Sequence, residues 1–152
     1  MNTCETSFVI EKEIQIAASA ERIFAALSEP AQRTQWWGVK GKFEVTHMES
    51  DLRTGGAWRM SGVSMGEVPF TIQGTYQSIE PPRVLEFTWR KDEETMDTLV
   101  RFELEEKGFG TVVRLTHSGF NDAHTRDLYQ GWPWLLSMLQ GHVEGQSSKA
   151  SC

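Results

Sequence analysis

The stretch GTYQSIEPPRVLEFTW, at residues 74–89, decides the fold of this chain. Pro81 and Pro82 lie between two runs that are rich in aromatic and β-branched residues, and proline favours a turn and cannot donate within a central strand. In the second run Leu85, Phe87 and Trp89 alternate with polar residues, which is typical of a strand with one buried face. The stretch therefore predicts two antiparallel strands joined by a tight turn.

The same patterns predict the other elements. Seven strands are predicted, at residues 8–16, 42–48, 57–63, 70–80, 83–90, 96–105 and 111–117. Helices are predicted at residues 17–28, 30–36 and 123–143. In the last helix Pro133 follows Gly131 closely, so we expect a kink or break near Gly131.

This order of elements predicts an α+β fold, in which a curved antiparallel sheet of six to seven strands wraps around a long C-terminal helix. Two short helices follow the first strand and close one end. We expect a single domain over residues 1–152, with flexible ends at residues 1–7 and 145–152.

Charge and composition narrow the classes of partner. The net charge of −6 argues against nucleic acid, and no apolar run approaches the ~18 residues of a membrane span. No secretory signal is visible at the start. Cys4 and Cys152 lie near the two ends, which favours free thiols in a reducing cytoplasm over a disulfide framework.

Motifs for metals, cofactors and nucleophiles are missing from the sequence, so we expect neither a metal nor a cofactor. The four histidines are not spaced as metal ligands, and the glutamates of the predicted turns at residues 93–94 and 105–106 are typical solvated charges. His117 shares the parity of Val113 and Leu115 and is the one candidate for catalysis. The alternative is a histidine at the edge of the core, which is the more common case.

Aromatic residues are the unusual feature, with six Trp and eight Phe. They either fill a core or line an apolar pocket, and core packing is the more common explanation for any one of them. Trp36 and Trp37 are adjacent at a helix end, and we expect that they cannot both point into the core. One of them would then lie at a rim or at the interface of a homodimer. Arg59, Tyr76 and His117 are the candidate polar groups of a pocket, with Arg59 the weakest because it points away from Trp58.

Several motifs together carry a resemblance to a known family: GGAWR at residues 55–59, residues 74–89, THSGF at residues 116–120, and Gly131-Trp132 followed by Leu136 and Leu139. The chain resembles the helix-grip fold of the START and Bet v 1-like superfamily, and within it the group related to the C-terminal domain of the Hsp90 ATPase activator.

The resemblance implies an apolar or aromatic ligand held between the sheet and the last helix. Together with the aromatic faces it predicts a set of lining residues: Trp37, Phe43, Trp58, Met60, Phe70, Tyr76, Phe87, Trp89, Phe102, His117, Trp132 and Leu136. It also implies two alternatives, a cyclase or dehydratase acting in the same cavity with His117 as the acid or base, and a stress-response co-chaperone with an Hsp90 partner. Direct packing of Trp58, Phe87 and Trp132 in a filled interior would count against the carrier.

Overall fold

The structure is a computed structural model and describes residues 8–39, 43–64, 68–91, 97–108, 110–120 and 132–151. Its strands are β1 (Phe8–Ile16), β2 (Gly38–Val39), β3 (Phe43–Ser50), β4 (Ala57–Ser64), β5 (Val68–Glu80), β6 (Val84–Lys91), β7 (Thr98–Lys107) and β8 (Gly110–Phe120). Its helices are α1 (Ala20–Ser28), α2 (Pro30–Trp36) and α3 (Trp132–Ser151).

The strands form one antiparallel sheet in the order β1-β8-β7-β6-β5-β4-β3-β2. All seven predicted strands are present, and the two-residue β2 is an addition that the sequence did not indicate. Pro81 and Pro82 connect β5 to β6, where Glu80 pairs with Val84 as the predicted hairpin requires. The register shifts in β3 between Val45 and His47, and such bulges bend a sheet. The predicted α+β helix-grip class is therefore confirmed.

Alternation along the strands separates a buried face from an exposed one. On β6, Leu85, Phe87 and Trp89 are buried, and on β7 Val100 and Phe102 continue the same layer. Thr98 and His117, on β7 and β8, belong to this inner face as well.

Local signals explain the short helices. The Ser19 hydroxyl accepts a hydrogen bond from the backbone N–H of Arg22 at 3.2 Å and caps α1. Pro30 begins α2, where the missing N–H of proline has no cost.

The last helix differs from its prediction at the end. It runs from Trp132 to Ser151, so the predicted end at Val143 was wrong, and residues 145–151, which we expected to belong to a flexible end, are part of it. No proline follows Pro133 in this segment, and one glycine such as Gly145 costs a helix only about 1 kcal/mol. Residues 121–131, with the predicted first part of the helix and its break near Gly131, lie outside the described residues.

Helix α3 buries the face that the spacing predicted. Trp132, Leu135, Leu139 and Val143 are buried, and Pro133 occupies the first turn, where it is tolerated. The Gln140 side chain donates to the carbonyl of Gln15 on β1 at 3.1 Å. None of the helices that the structure describes is long and apolar enough to cross a membrane.

Candidate ligand-binding site

Aromatic rings from the sheet, α3 and the end of α2 form a continuous network in the interior. Trp89 is at its centre, with ring centroids 5.8 Å from Trp37, 5.9 Å from Trp58 and 5.8 Å from Trp132. Phe87 extends the network, 5.2 Å from Trp58. These separations are those of rings in direct contact.

The predicted lining residues are mostly brought together here. Ten of them are buried: Trp37, Trp58, Met60, Tyr76, Phe87, Trp89, Phe102, His117, Trp132 and Leu136. Phe43 and Phe70 are half-buried and meet edge to face at 6.0 Å. Arg59 lies on the outer face and is exposed, as its parity predicted.

The expectation that Trp36 and Trp37 cannot both be buried was wrong, because their side chains are 5% and 2% exposed. Helix α2 ends at Trp36, and Trp37 has extended backbone angles of φ −79° and ψ 97°. This change of direction lets both indoles enter the interior, where they contact each other with ring centroids 5.1 Å apart. The Trp36 N–H donates to the carbonyl of Ala26 on α1 at 2.8 Å, while Trp37 packs on Trp89 and Trp132. The reason given for a homodimer is thereby removed.

His117 is 0% exposed and has both ring nitrogens engaged. The indole N–H of Trp132 donates to Nδ1 at 3.1 Å. Since an indole nitrogen can only donate, Nδ1 must accept, and the proton of the neutral ring is on Nε2. Nε2 lies 2.7 Å from the hydroxyl of Thr98, which in turn donates to the carbonyl of Trp89 at 3.2 Å.

This chain of hydrogen bonds gives His117 a structural role. Burial lowers the pKa of His117 to about 3, so the ring is neutral at pH 7. A general base works best with a pKa near the operating pH and with a nitrogen that can reach the substrate. The geometry therefore favours the core histidine over the catalytic one.

Arg33, on α2, is the residue that the sequence analysis missed. Its side chain is 1% exposed, and Nη1 donates to the carbonyl of Leu27 at 2.7 Å. Nε and Nη2 are buried without a hydrogen-bond partner. The guanidinium carbon lies 4.4 Å from the ring centroid of Trp37, 5.5 Å from that of Phe87 and 5.8 Å from that of Trp58.

Burying the positive charge of Arg33 costs free energy. Burial lowers its pKa to about 10, an effect that nearby Tyr76 partly offsets, so the side chain still carries its charge at pH 7. Stacking on aromatic faces returns about 2 kcal/mol when the cation is desolvated. The penalty for burying an ion is several kcal/mol, which is recovered only when the remaining donors form hydrogen bonds. In Arg33 the nitrogens Nε and Nη2 form none.

A sequence signal for Arg33 existed. Arg33 lies three residues before Trp36 on α2, the spacing of one helical face. That face is buried, while Gln35 is exposed. An arginine one helical turn before a tryptophan is the signal that could have indicated a cation packed on aromatic rings.

The other charged groups described in this section lie at the surface. Two grooves of about 370 Å³ and 740 Å³ lie among polar side chains at the surface. In the larger groove Arg101 pairs with Glu103 at 2.7 Å and Arg114 with Glu105 at 3.1 Å. Across the segments that the structure describes, no group of three acidic, histidine or cysteine residues could hold a metal ion.

Solved structures share this fold. The chain has a TM-score of 0.82 to a protein from Chromobacterium violaceum, with 25% identity over 90% of this chain and 97% of that one. An AHSA1-like protein from Aeromonas hydrophila gives a TM-score of 0.76 at 23% identity, covering 91% and 94% of the two chains. CalU16 from Micromonospora echinospora gives 0.64 at 23%, covering 94% and 79%.

Sequence comparison reaches the same group. No curated protein is significantly similar to the chain. The profile of the family described as "Activator of Hsp90 ATPase homolog 1-like protein" matches residues 17–144. Because this match spans most of the chain, the protein belongs to the Activator of Hsp90 ATPase homolog 1-like family.

Proposed function

We propose that the protein binds an apolar or aromatic small molecule in its interior, between the inner face of the sheet and α3. The observation that carries this proposal is the aromatic network around a buried guanidinium of which two of the three nitrogens have no hydrogen-bond partner. A core that served packing alone would satisfy its buried polar groups, as most native cores do. Ligand sites combine the same two features, apolar walls and a few polar groups that fix orientation.

Binding requires movement of side chains. Trp58 contacts Phe87 directly, and Trp132 contacts Trp89 and Phe102. This direct packing of rings counts against a ready-made cavity at this place. A ligand that reaches Arg33 displaces at least one of these rings. Trp37 is the ring nearest to the guanidinium and lies just after the end of α2, so we expect its indole to move first.

Trp fluorescence and thermal unfolding test the proposal. A panel of neutral aromatic compounds, apolar dyes and lipids is titrated into the protein, and a binder should quench or shift the emission and raise the Tm. Trp134 is 53% exposed on α3, so Trp134→Phe is the control variant and should keep the response. Trp37→Phe should lose part of it. No response across the panel, or one that disappears in W134F, contradicts binding in the interior.

A second candidate function is that of an Hsp90 co-chaperone. It is favoured by the family match over residues 17–144, since the family is named after activation of the Hsp90 ATPase. Purified Hsp90 should then bind the protein in a pull-down and hydrolyse ATP faster in its presence. An unchanged ATPase rate together with ligand binding would decide for the first candidate.

A further inference from the structure

We propose that Arg33 is the anchor for the ligand and that the ligand carries a carboxylate on an aromatic, apolar body. This inference rests on the proposed function and names the chemical class that the same interior would select. It depends on three features of Arg33: the edge of the guanidinium that has no hydrogen-bond partner, the single positive charge that no carboxylate neutralises among the described residues, and the aromatic rings around the guanidinium.

The unused donors of Arg33 lie on one edge. Nη1 is taken by the carbonyl of Leu27, and the two unpaired nitrogens are Nε and Nη2. The N–H bonds of Nε and Nη2 point in the same direction, roughly parallel. A carboxylate presents two oxygens at a matching separation, so the two groups join through a pair of parallel hydrogen bonds.

The charge count favours a monoanion. Among the described residues no carboxylate pairs with Arg33, in contrast to the surface arginines Arg101 and Arg114, which are each bound to glutamates. One buried cation is neutralised by one carboxylate. A phosphate has three free oxygens and more negative charge, so it would need further donors beside the edge of Arg33. The nearby Tyr76 hydroxyl is already paired with the Ser50 hydroxyl at 2.6 Å.

The surroundings of the guanidinium define the rest of the ligand. The ring centroids of Trp37, Phe87 and Trp58 lie 4.4, 5.5 and 5.8 Å from the guanidinium carbon. Once one ring moves aside, the space next to Arg33 is bounded by aromatic faces and edges, against which a planar aromatic group packs well. An aryl carboxylate satisfies the edge of Arg33 and fills the apolar space with a single molecule.

Isothermal titration calorimetry with matched probes tests the inference. The probes are 1-naphthaleneacetate, its neutral amide 1-naphthaleneacetamide, and 1-naphthyl phosphate. We expect the unmodified protein to bind the carboxylate at least about tenfold more tightly than the amide, because hydrogen bonds to charged groups are the stronger ones. The preference should persist between 50 and 500 mM NaCl, since buried pairs are screened much less than surface pairs.

Two variants assign the preference to Arg33. Arg33→Met keeps a long apolar side chain and should bind the carboxylate and the amide with equal affinity. Arg33→Lys keeps the charge without the two-donor edge and should lose most of the preference. If R33M does not fold, the comparison of probes and salt in the unmodified protein decides alone.

Each outcome has one meaning. Equal affinity for acid and amide, a preference for the phosphate, or a preference that disappears at high salt overturns the carboxylate inference while binding itself stands. If none of the three probes binds, and if no compound of the neutral panel changes the Trp emission or the Tm, the proposed function is overturned and this inference with it. A preference that R33M and R33K both retain shows that the anion is bound elsewhere.

Discussion

Acidification should destabilise this protein through His117, and the size of the effect follows from the structure. The pKa of His117 is about 3 in the folded state because of burial, against about 6.5 in the unfolded chain. Below pH 6.5 the unfolded state binds a proton that the folded state refuses, so folding stability falls as the pH falls. The loss is about 1.4 kcal/mol per pH unit, or about 2 kcal/mol at pH 5 relative to pH 7.5.

Urea unfolding followed by Trp fluorescence measures this loss. Carboxylates and His142 titrate as well, so the quantity of interest is the difference between the protein and His117→Gln. Glutamine can donate and accept as the imidazole does but does not titrate. We expect the unmodified protein to lose about 2 kcal/mol more than H117Q between pH 7.5 and pH 5. Equal losses, or an NMR signal of His117 that titrates near pH 6.5, would refute the assignment of His117 as a buried, neutral, hydrogen-bonded residue.

Three further expectations concern stability and are checked by the same unfolding assay. Thr98→Val removes the hydroxyl between His117 and the Trp89 carbonyl and should cost about 1–3 kcal/mol; a neutral change would mean that the chain of bonds is unimportant. Trp36→Phe leaves the Ala26 carbonyl unpaired and should cost a similar amount, unless water replaces the indole. Gly74→Ala places a Cβ 1.9 Å from the carbonyl oxygen of Thr88 and should cost more than about 3 kcal/mol, whereas Gly141→Ala meets nothing within 4 Å and should stabilise α3 by up to about 1 kcal/mol. The glycine argument fails if the two alanine variants are equally stable.

Much of the sheet was predictable because alternation is a property of the strand itself. Leu85, Phe87 and Trp89 had to share a face, and the structure buries all three. The inward direction of His117 followed from the same parity. Its partners did not, because Thr98 is 19 residues away along the chain and only the register of β7 with β8 brings them together.

The errors arose where an element ends. A helical continuation through Trp37 would have spread the adjacent indoles of Trp36 and Trp37 over different faces, and this reasoning predicted an exposed one. The extended backbone at Trp37 removed that restriction. The end of α3 was misjudged for the opposite reason, since a small polar tail was taken as a stop although glycine and serine only lower helix stability. The residue at which a helix ends depends on one or two side chains, whereas a pattern read over ten residues gives each of them little weight.

His117 and Arg33 are two buried polar residues that differ in whether their hydrogen-bonding groups have partners. Both are polar and both are almost completely buried. They contact different aromatic rings: His117 contacts Trp89, Phe120 and Trp132, whereas Arg33 contacts Trp37, Trp58 and Phe87. His117 is neutral and has each ring nitrogen in a hydrogen bond, so the fold alone accounts for its position. Arg33 is charged, and two of its three guanidinium nitrogens have no hydrogen-bond partner. A methionine at position 33 would fill similar space without the desolvation penalty, so packing alone does not account for an arginine there. An incoming anion would account for both the charge and the two nitrogens that have no hydrogen-bond partner.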